Sequence, residues 1–166
     1  MASILNVDQI NNAAGTSAVT IDSSGNTLMP GHVVQVASTA TVLAGSTTST
    51  TFVDLLSLSF TPKFSTSSLF VFVDCRWQYN GDTASAKFKI LHDSTSLWEI
   101  NYYGAYSSAE TNMIQMTGHH AQVPAGSTSA RNIKWQGATV LSGTLSLNIN
   151  GQTGNETRMT IMEIAQ

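Results

Sequence analysis

The run Ser68-Leu69-Phe70-Val71-Phe72-Val73-Asp74-Cys75-Arg76-Trp77-Gln78-Tyr79 constrains the fold of this chain more than any other stretch. Successive side chains of a strand point to opposite faces, so Leu69, Val71, Val73, Cys75, Trp77 and Tyr79 share one apolar face. The opposite face begins apolar, with Phe70 and Phe72, and ends polar, with Asp74, Arg76 and Gln78. One face is therefore buried throughout, while the other passes from covered to wet. A central sandwich strand has this pattern when a neighbouring segment or subunit covers one end of its outer face. The turn signal Asn80-Gly81-Asp82 closes the run, since Asn and Gly accept the positive φ of primed turns.

Strands of the same kind follow one another from residue 32 onward: 33–40, 52–60, 68–79, 86–92, 97–103, 112–122, 131–137, 145–150 and 158–164. Turn-forming residues separate them, among them Ala44-Gly45-Ser46, Thr61-Pro62-Lys63, Ala125-Gly126-Ser127, Ser142-Gly143-Thr144 and Asn150-Gly151. No stretch carries a helical period with caps. The predicted fold class is all-β, an antiparallel β-sandwich, and a jelly roll is the commonest way to close so many strands into two sheets. An immunoglobulin-like sandwich is the competitor, but it needs fewer strands and Cys75, the single cysteine, has no partner to pair with. Strand 52–60 (Phe52, Val53, Leu55, Leu56, Leu58, Phe60) and strand 158–164 (Met159, Ile161, Met162, Ile164) are apolar on both faces for part of their length. A two-layer monomer covers only its inner faces, so this surplus predicts an oligomer.

Residues 1–31 read differently from 32–166, and the chain divides there into an N-terminal anchor or stalk and a sandwich knob. Ile4, Leu5, Val7 and Ile10 form a short apolar segment; the turn 11–16, the strand 18–21, the turn 22–26 and Leu28-Met29 follow. Strands this short bury nothing alone; a disordered tail is the alternative, but regular apolar spacing and well-formed turns favour a segment that gains a core by winding with copies or by docking on another protein. Ile4, Leu5, Val7 and Ile10 are the predicted anchoring residues.

Charged residues make up 10% of the 166, against about 25% in an average soluble domain. With a formal net charge of -3 and scattered basic residues, there is no nucleic-acid footprint. No segment approaches the roughly 20 apolar residues of a membrane helix, and the N-terminus lacks a signal-peptide pattern, so synthesis in a cytoplasm is expected. The expectation is no enzyme and no cofactor or resident metal. Asp93 and Glu99, flanking Ser94-Thr95-Ser96, are the one sequence-local carboxylate pair, and turn and edge-strand roles explain them better than glycosidase chemistry. His119 and His120 are adjacent in a strand, point to opposite faces and cannot chelate one ion within a chain; copies of either meeting on a symmetry axis could. Cys75 reads as a small buried hydrophobe. Trp98, Ile100 and Tyr102 share a face and read as core, whereas Tyr103 and Tyr106, beside Gly104, suit a surface or receptor contact.

The segment Ser3-Ile4-Leu5-Asn6-Val7-Asp8-Gln9-Ile10, the turn Asp22-Ser23-Ser24-Gly25, the junction Gly31-His32-Val33-Val34-Gln35-Val36, the corner Thr61-Pro62-Lys63 and the ending Thr160-Ile161-Met162-Glu163-Ile164-Ala165-Gln166 resemble short fibre-like virion proteins of marine tailed bacteriophages. The resemblance implies a homotrimeric tail-fibre or spike-like appendage of the virion, made in the host cytoplasm. Its N-terminal segment would hold other virion proteins, and its knob would contact a host surface glycan or protein. It transfers no catalytic residue. The near absence of a shaft makes a capsid-decoration (head fibre or cement) protein the alternative, with a polysaccharide depolymerase third.

Overall fold

The computed structural model describes residues 6–41, 45–80, 85–103, 112–141, 143 to 147 and 156–166, with backbone alone at 85, 103 and 112–117. Thirteen strands are present among them: β1 Gln9–Asn11, β2 Ser17–Ile21, β3 Thr27–Leu28, β4 Val33–Thr41, β5 Ser46–Thr47, β6 Val53–Phe60, β7 Ser68–Asn80, β8 Ser85–His92, β9 Thr95–Tyr103, β10 Asn112–Pro124, β11 Arg131–Thr139, β12 Thr144–Leu147 and β13 Thr157–Ile164. The strands expected from period-2 alternation all form, most within a residue or two of their predicted ends. The turns at Asn80-Gly81 and Asn150-Gly151 fall outside the described residues.

The strand read as central occupies the centre. Along one edge of β7, β10 pairs antiparallel over the full length, from Asn112 opposite Asn80 to Pro124 opposite Ser68. Along the other edge, β13 takes Ser68 to Asp74 and β12 takes Trp77 to Asn80. β4 extends this sheet beyond β13, and β5 extends it beyond β12. The second sheet has the order β6-β11-β8-β9. Taking the long strands β4, β6, β7, β8, β9, β10, β11 and β13 as first to eighth, one sheet runs first-eighth-third-sixth and the other second-seventh-fourth-fifth. That winding is the jelly roll. The protein is an all-β, antiparallel jelly-roll sandwich.

The inner face of β7 is the floor of the core: Leu69, Val71, Val73, Cys75, Trp77 and Tyr79 are all buried. Ala86, Phe88 and Ile90 of β8, Ile133 and Trp135 of β11, Leu145 and Leu147 of β12, and Met159 and Ile161 of β13 close over it. Burying each large apolar side chain contributes about 1.5–3 kcal/mol. On the outer face, Phe70 and Phe72 are half-buried and stack with centroids 6.4 Å apart, while Asp74 is exposed.

The two-faced apolar reading of strand 52–60 is corrected in part. Trp135 pairs Leu56 and Gln136 pairs Asp54, which leaves Leu55 as the extra residue of a β-bulge. Leu55, Leu56 and Leu58 all pack against the core. Gly137 makes room for this, because a Cβ there would lie 2.5 Å from Leu55 Cδ1. The apolar surplus that does face outward is a cross-strand row: Val36 (57% exposed), Met162 opposite it, and Phe70 opposite Met162.

β1, β2 and β3 form a three-stranded sheet of their own. Its turns are built by side chains. Asn12 Oδ1 accepts from the backbone N–H of Ala14 and Thr16, and Asp22 Oδ1 accepts from those of Ser24 and Asn26. Gly15 and Gly25 supply the positive φ each turn requires. Two backbone bonds join this segment to the end of β13: Gly31 N–H donates to Ala165 and Ala165 N–H donates to His32.

Candidate functional site

Two of the four predicted anchoring residues lie on described structure. Ile10 is 49% exposed and Val7 half-buried, while Ile4 and Leu5 lie outside the described residues. Ile10 sits opposite Val19 in the β1–β2 register, and Ile21 follows two residues on, so the three share one face of the small sheet. Val19 and Ile21 are only half-buried. Next to this sheet, a cleft of about 420 Å³ opens between the turn at Gly25-Asn26 and the corner at Lys63, with Met29, His32 and Val33 on its walls.

That corner is tied down by a carboxylate that sequence reasoning missed. Glu163 of β13 is fully buried. It accepts from Gln35 Nε2 at 2.6 Å, the Lys63 backbone N–H at 2.9 and 3.0 Å, the Phe64 N–H at 2.9 Å and the Ser67 hydroxyl at 2.6 Å. Its donors are neutral groups, and among the described residues no cation pairs with it. Donors of this kind satisfy a buried charge without a counter-ion. The available signal was a lone acid in an otherwise apolar β-pattern, but its partners lie 96–128 residues away in sequence.

The histidines separate as parity requires: His119 is 1% exposed and His120 is exposed. Trp135 Nε1–H donates to His119 Nδ1 at 3.1 Å, and His119 Nε2 lies 3.1 Å from the Tyr102 hydroxyl. Both ring nitrogens of His119 are thus occupied inside the core, which removes it as a ligand on a symmetry axis; of the two, only His120 faces outward. Phe88, Trp98, Tyr102 and Trp135 surround the ring. Trp98, Ile100 and Tyr102 pack on the core, in line with the expectation from their shared face. Tyr103 ends β9 with its side chain outside the described residues, as is the whole of Tyr106.

Asp93 and Glu99 do not converge. Asp93, at φ 55° in the β8–β9 turn, accepts from the Asn132 backbone N–H and from Arg131, and these bonds hold its carboxyl below the ordinary range. Glu99 is exposed and lies opposite Lys89. Asp54 binds Gln136 and Lys134 on the outer face of the four-stranded sheet, and its pKa is lowered by them in that order. Nearby, the Lys87 and Lys89 ammonium groups lie 4.9 and 4.2 Å from the Phe52 ring centroid. Among the described residues no three His, Cys, Asp or Glu side chains are placed to hold a metal, and no helix is long and apolar enough to cross a membrane.

No family model matches the chain, and no curated protein does. Among solved structures, it is similar to VP2 of infectious bursal disease virus in a subviral particle, with 12% identity over 84% of this chain and 44% of that one and a TM-score of 0.40. A T=1 particle derived from the same virus matches at 13% identity over 98% of this chain and 49% of the other, again with a TM-score of 0.40. The chain spans less than half the length of these proteins.

Proposed function

We propose that this chain is a non-enzymatic virion structural protein, a homotrimeric fibre- or spike-like appendage. Residues 1–31 hold it to other virion proteins, and the jelly-roll knob contacts the host surface. One observation carries the reading. A small sheet with Ile10, Val19 and Ile21 incompletely covered is joined to a sandwich that already has a complete core. Such a sheet is too thin to be stable alone, so its apolar face is built for a partner.

The edges of the larger sheet support self-association. β4 and β10 contain no Asp, Glu, Lys or Arg, whereas β7, β8, β11 and β13 all carry charges. Proteins that keep their edges apart place charge there. Three knobs on one stalk also bind a surface more tightly than one, because later contacts become intramolecular.

The test is removal of residues 1–31. The remaining sandwich folds, and particles made with it lack the protein; normal incorporation of the truncated chain overturns the anchor role. The second reading, capsid decoration, is favoured by the short connection from β3 to β4, which leaves no shaft between small sheet and knob. Immunogold labelling of intact particles separates the two, since decoration places label over the head and a tail appendage over the tail.

A further inference from the structure

We propose that His119 is an acid-operated latch: protonation of its ring releases β9 and β10 from β11 while the β4-β13-β7 part of the sandwich stays folded. The geometry fixes the closed state. Indole Nε1–H can only donate, so the 3.1 Å bond from Trp135 requires an unprotonated His119 Nδ1. The proton of the neutral ring then sits on Nε2 and is donated to the Tyr102 hydroxyl at 3.1 Å. One imidazole thereby joins β10 of the larger sheet to both β9 and β11 of the smaller one. A second proton, on Nδ1, would point at the Trp135 N–H, donor against donor.

Among the described residues packed on the ring there is no carboxylate to pair with an imidazolium. From β8 the ring meets Phe88, while Lys87 and Lys89 lie on the outer face with Phe52. β9 offers Trp98 and the Tyr102 phenol, and β11 offers Trp135 with Lys134 turned outward to Asp54. On β7, Val73 is directly opposite, and the titratable groups of that inward face are the Cys75 thiol and the Tyr79 phenol. His120, next in β10, points the other way. Burial, and secondarily the charge of His120, push the His119 pKa down to about 4.

The sign follows from linkage. Between the ordinary value of 6.5 and about 4, the opened form binds a proton that the closed form does not, so closure weakens as pH falls through that window. Because each state is half-titrated at its own end of the window, the opening equilibrium rises about 80-fold across it. β9 and β10 are the strands to yield, because each lies at a sheet edge with a single strand partner, β8 and β7 respectively, among the described residues.

Hydrogen exchange of the full chain between pH 7 and pH 4, corrected for the intrinsic rate, tests this. The expected result is loss of protection of at least tenfold in β9 and β10 and in the β8 and β7 amides that bond to them, with β13 and the β7 amides that bond to β13 unchanged. Uniform loss across all strands, or no loss, overturns the latch. His119→Gln offers a carbonyl to Trp135 and an amide N–H to Tyr102 but has no proton to gain, so its exchange pattern is expected to stay constant with pH. The same acid opening in that variant overturns the proposal. Should it fail to fold, the imidazole NMR titration of the unaltered protein decides: a His119 ring charging together with strand opening supports the latch, and one charging near 6.5 without opening refutes it.

Discussion

Replacing Glu163 with glutamine tests whether a buried carboxylate organises the corner at residues 61–67. The substitution keeps the shape and one carbonyl oxygen, but removes the charge and turns one oxygen into an NH2. The oxygen that accepts from Lys63 N–H, Phe64 N–H and the Ser67 hydroxyl can be retained as the amide carbonyl. The other oxygen, 2.6 Å from Gln35 Nε2 and 2.9 Å from the Lys63 N–H, becomes a donor facing donors. One charge-assisted bond is worth about 1.5–3 kcal/mol, and the bonds that remain lose their ionic part. The expected cost is therefore about 3 kcal/mol, and Glu163→Ala, which leaves the Lys63 and Phe64 N–H groups without an acceptor while the Ser67 hydroxyl keeps Phe64 O and the Gln35 amide keeps Thr61 O, costs about 3–5 kcal/mol. For a chain of this length, 1 kcal/mol moves the melting temperature by about 2–4 °C, so Glu163→Gln should melt about 6–12 °C lower. Urea melts at one fixed protein concentration measure the free energy, and exchange of the Lys63 and Phe64 amides reports the corner itself. A loss below about 1 kcal/mol, with those two amides still protected, would refute the reasoning.

Three further outcomes are expected. Trp77→Ala empties the largest site on the inner face of β7, where Phe88 and Tyr102 pack at 5.5 and 5.4 Å, and should cost about 3–5 kcal/mol by denaturant melts; a shift of a degree or two would mean the site collapses at no cost. Gly137→Ala drives a methyl into Leu55, Phe88 and Leu145 beneath the bulge and should destabilise by about 1–3 kcal/mol, an effect that Leu55→Ala in the same chain partly relieves. Asp93→Asn, at a largely exposed turn, should cost under about 1 kcal/mol; because the aspartate is held below its ordinary pKa, the difference from the unaltered protein is present at neutral pH and vanishes as pH falls through the folded value.

Side-chain alternation and turn chemistry are local, so they are written residue by residue. Period two placed Leu69 through Tyr79 on one face, and it put His119 and His120 on opposite faces before any partner strand was known. It also made the chain all-β. Alternation does not say which of two opposite faces turns inward, and His119 went into the core because Trp135 and Tyr102, brought by β11 and β9, occupy both of its nitrogens. Leu55 and Leu56 looked two-faced because a bulge is a property of two paired strands and not of one. The role of Glu163 was hidden for the same reason, since its donors come from β4 and from the segment after β6. Sequence by itself fixed where the strands run and which residues alternate, since both follow from backbone sterics within a few residues. Partner, register and the satisfaction of buried polar groups were decided only when the jelly roll closed, because a hydrogen bond between residues a hundred positions apart has no expression in either neighbourhood alone.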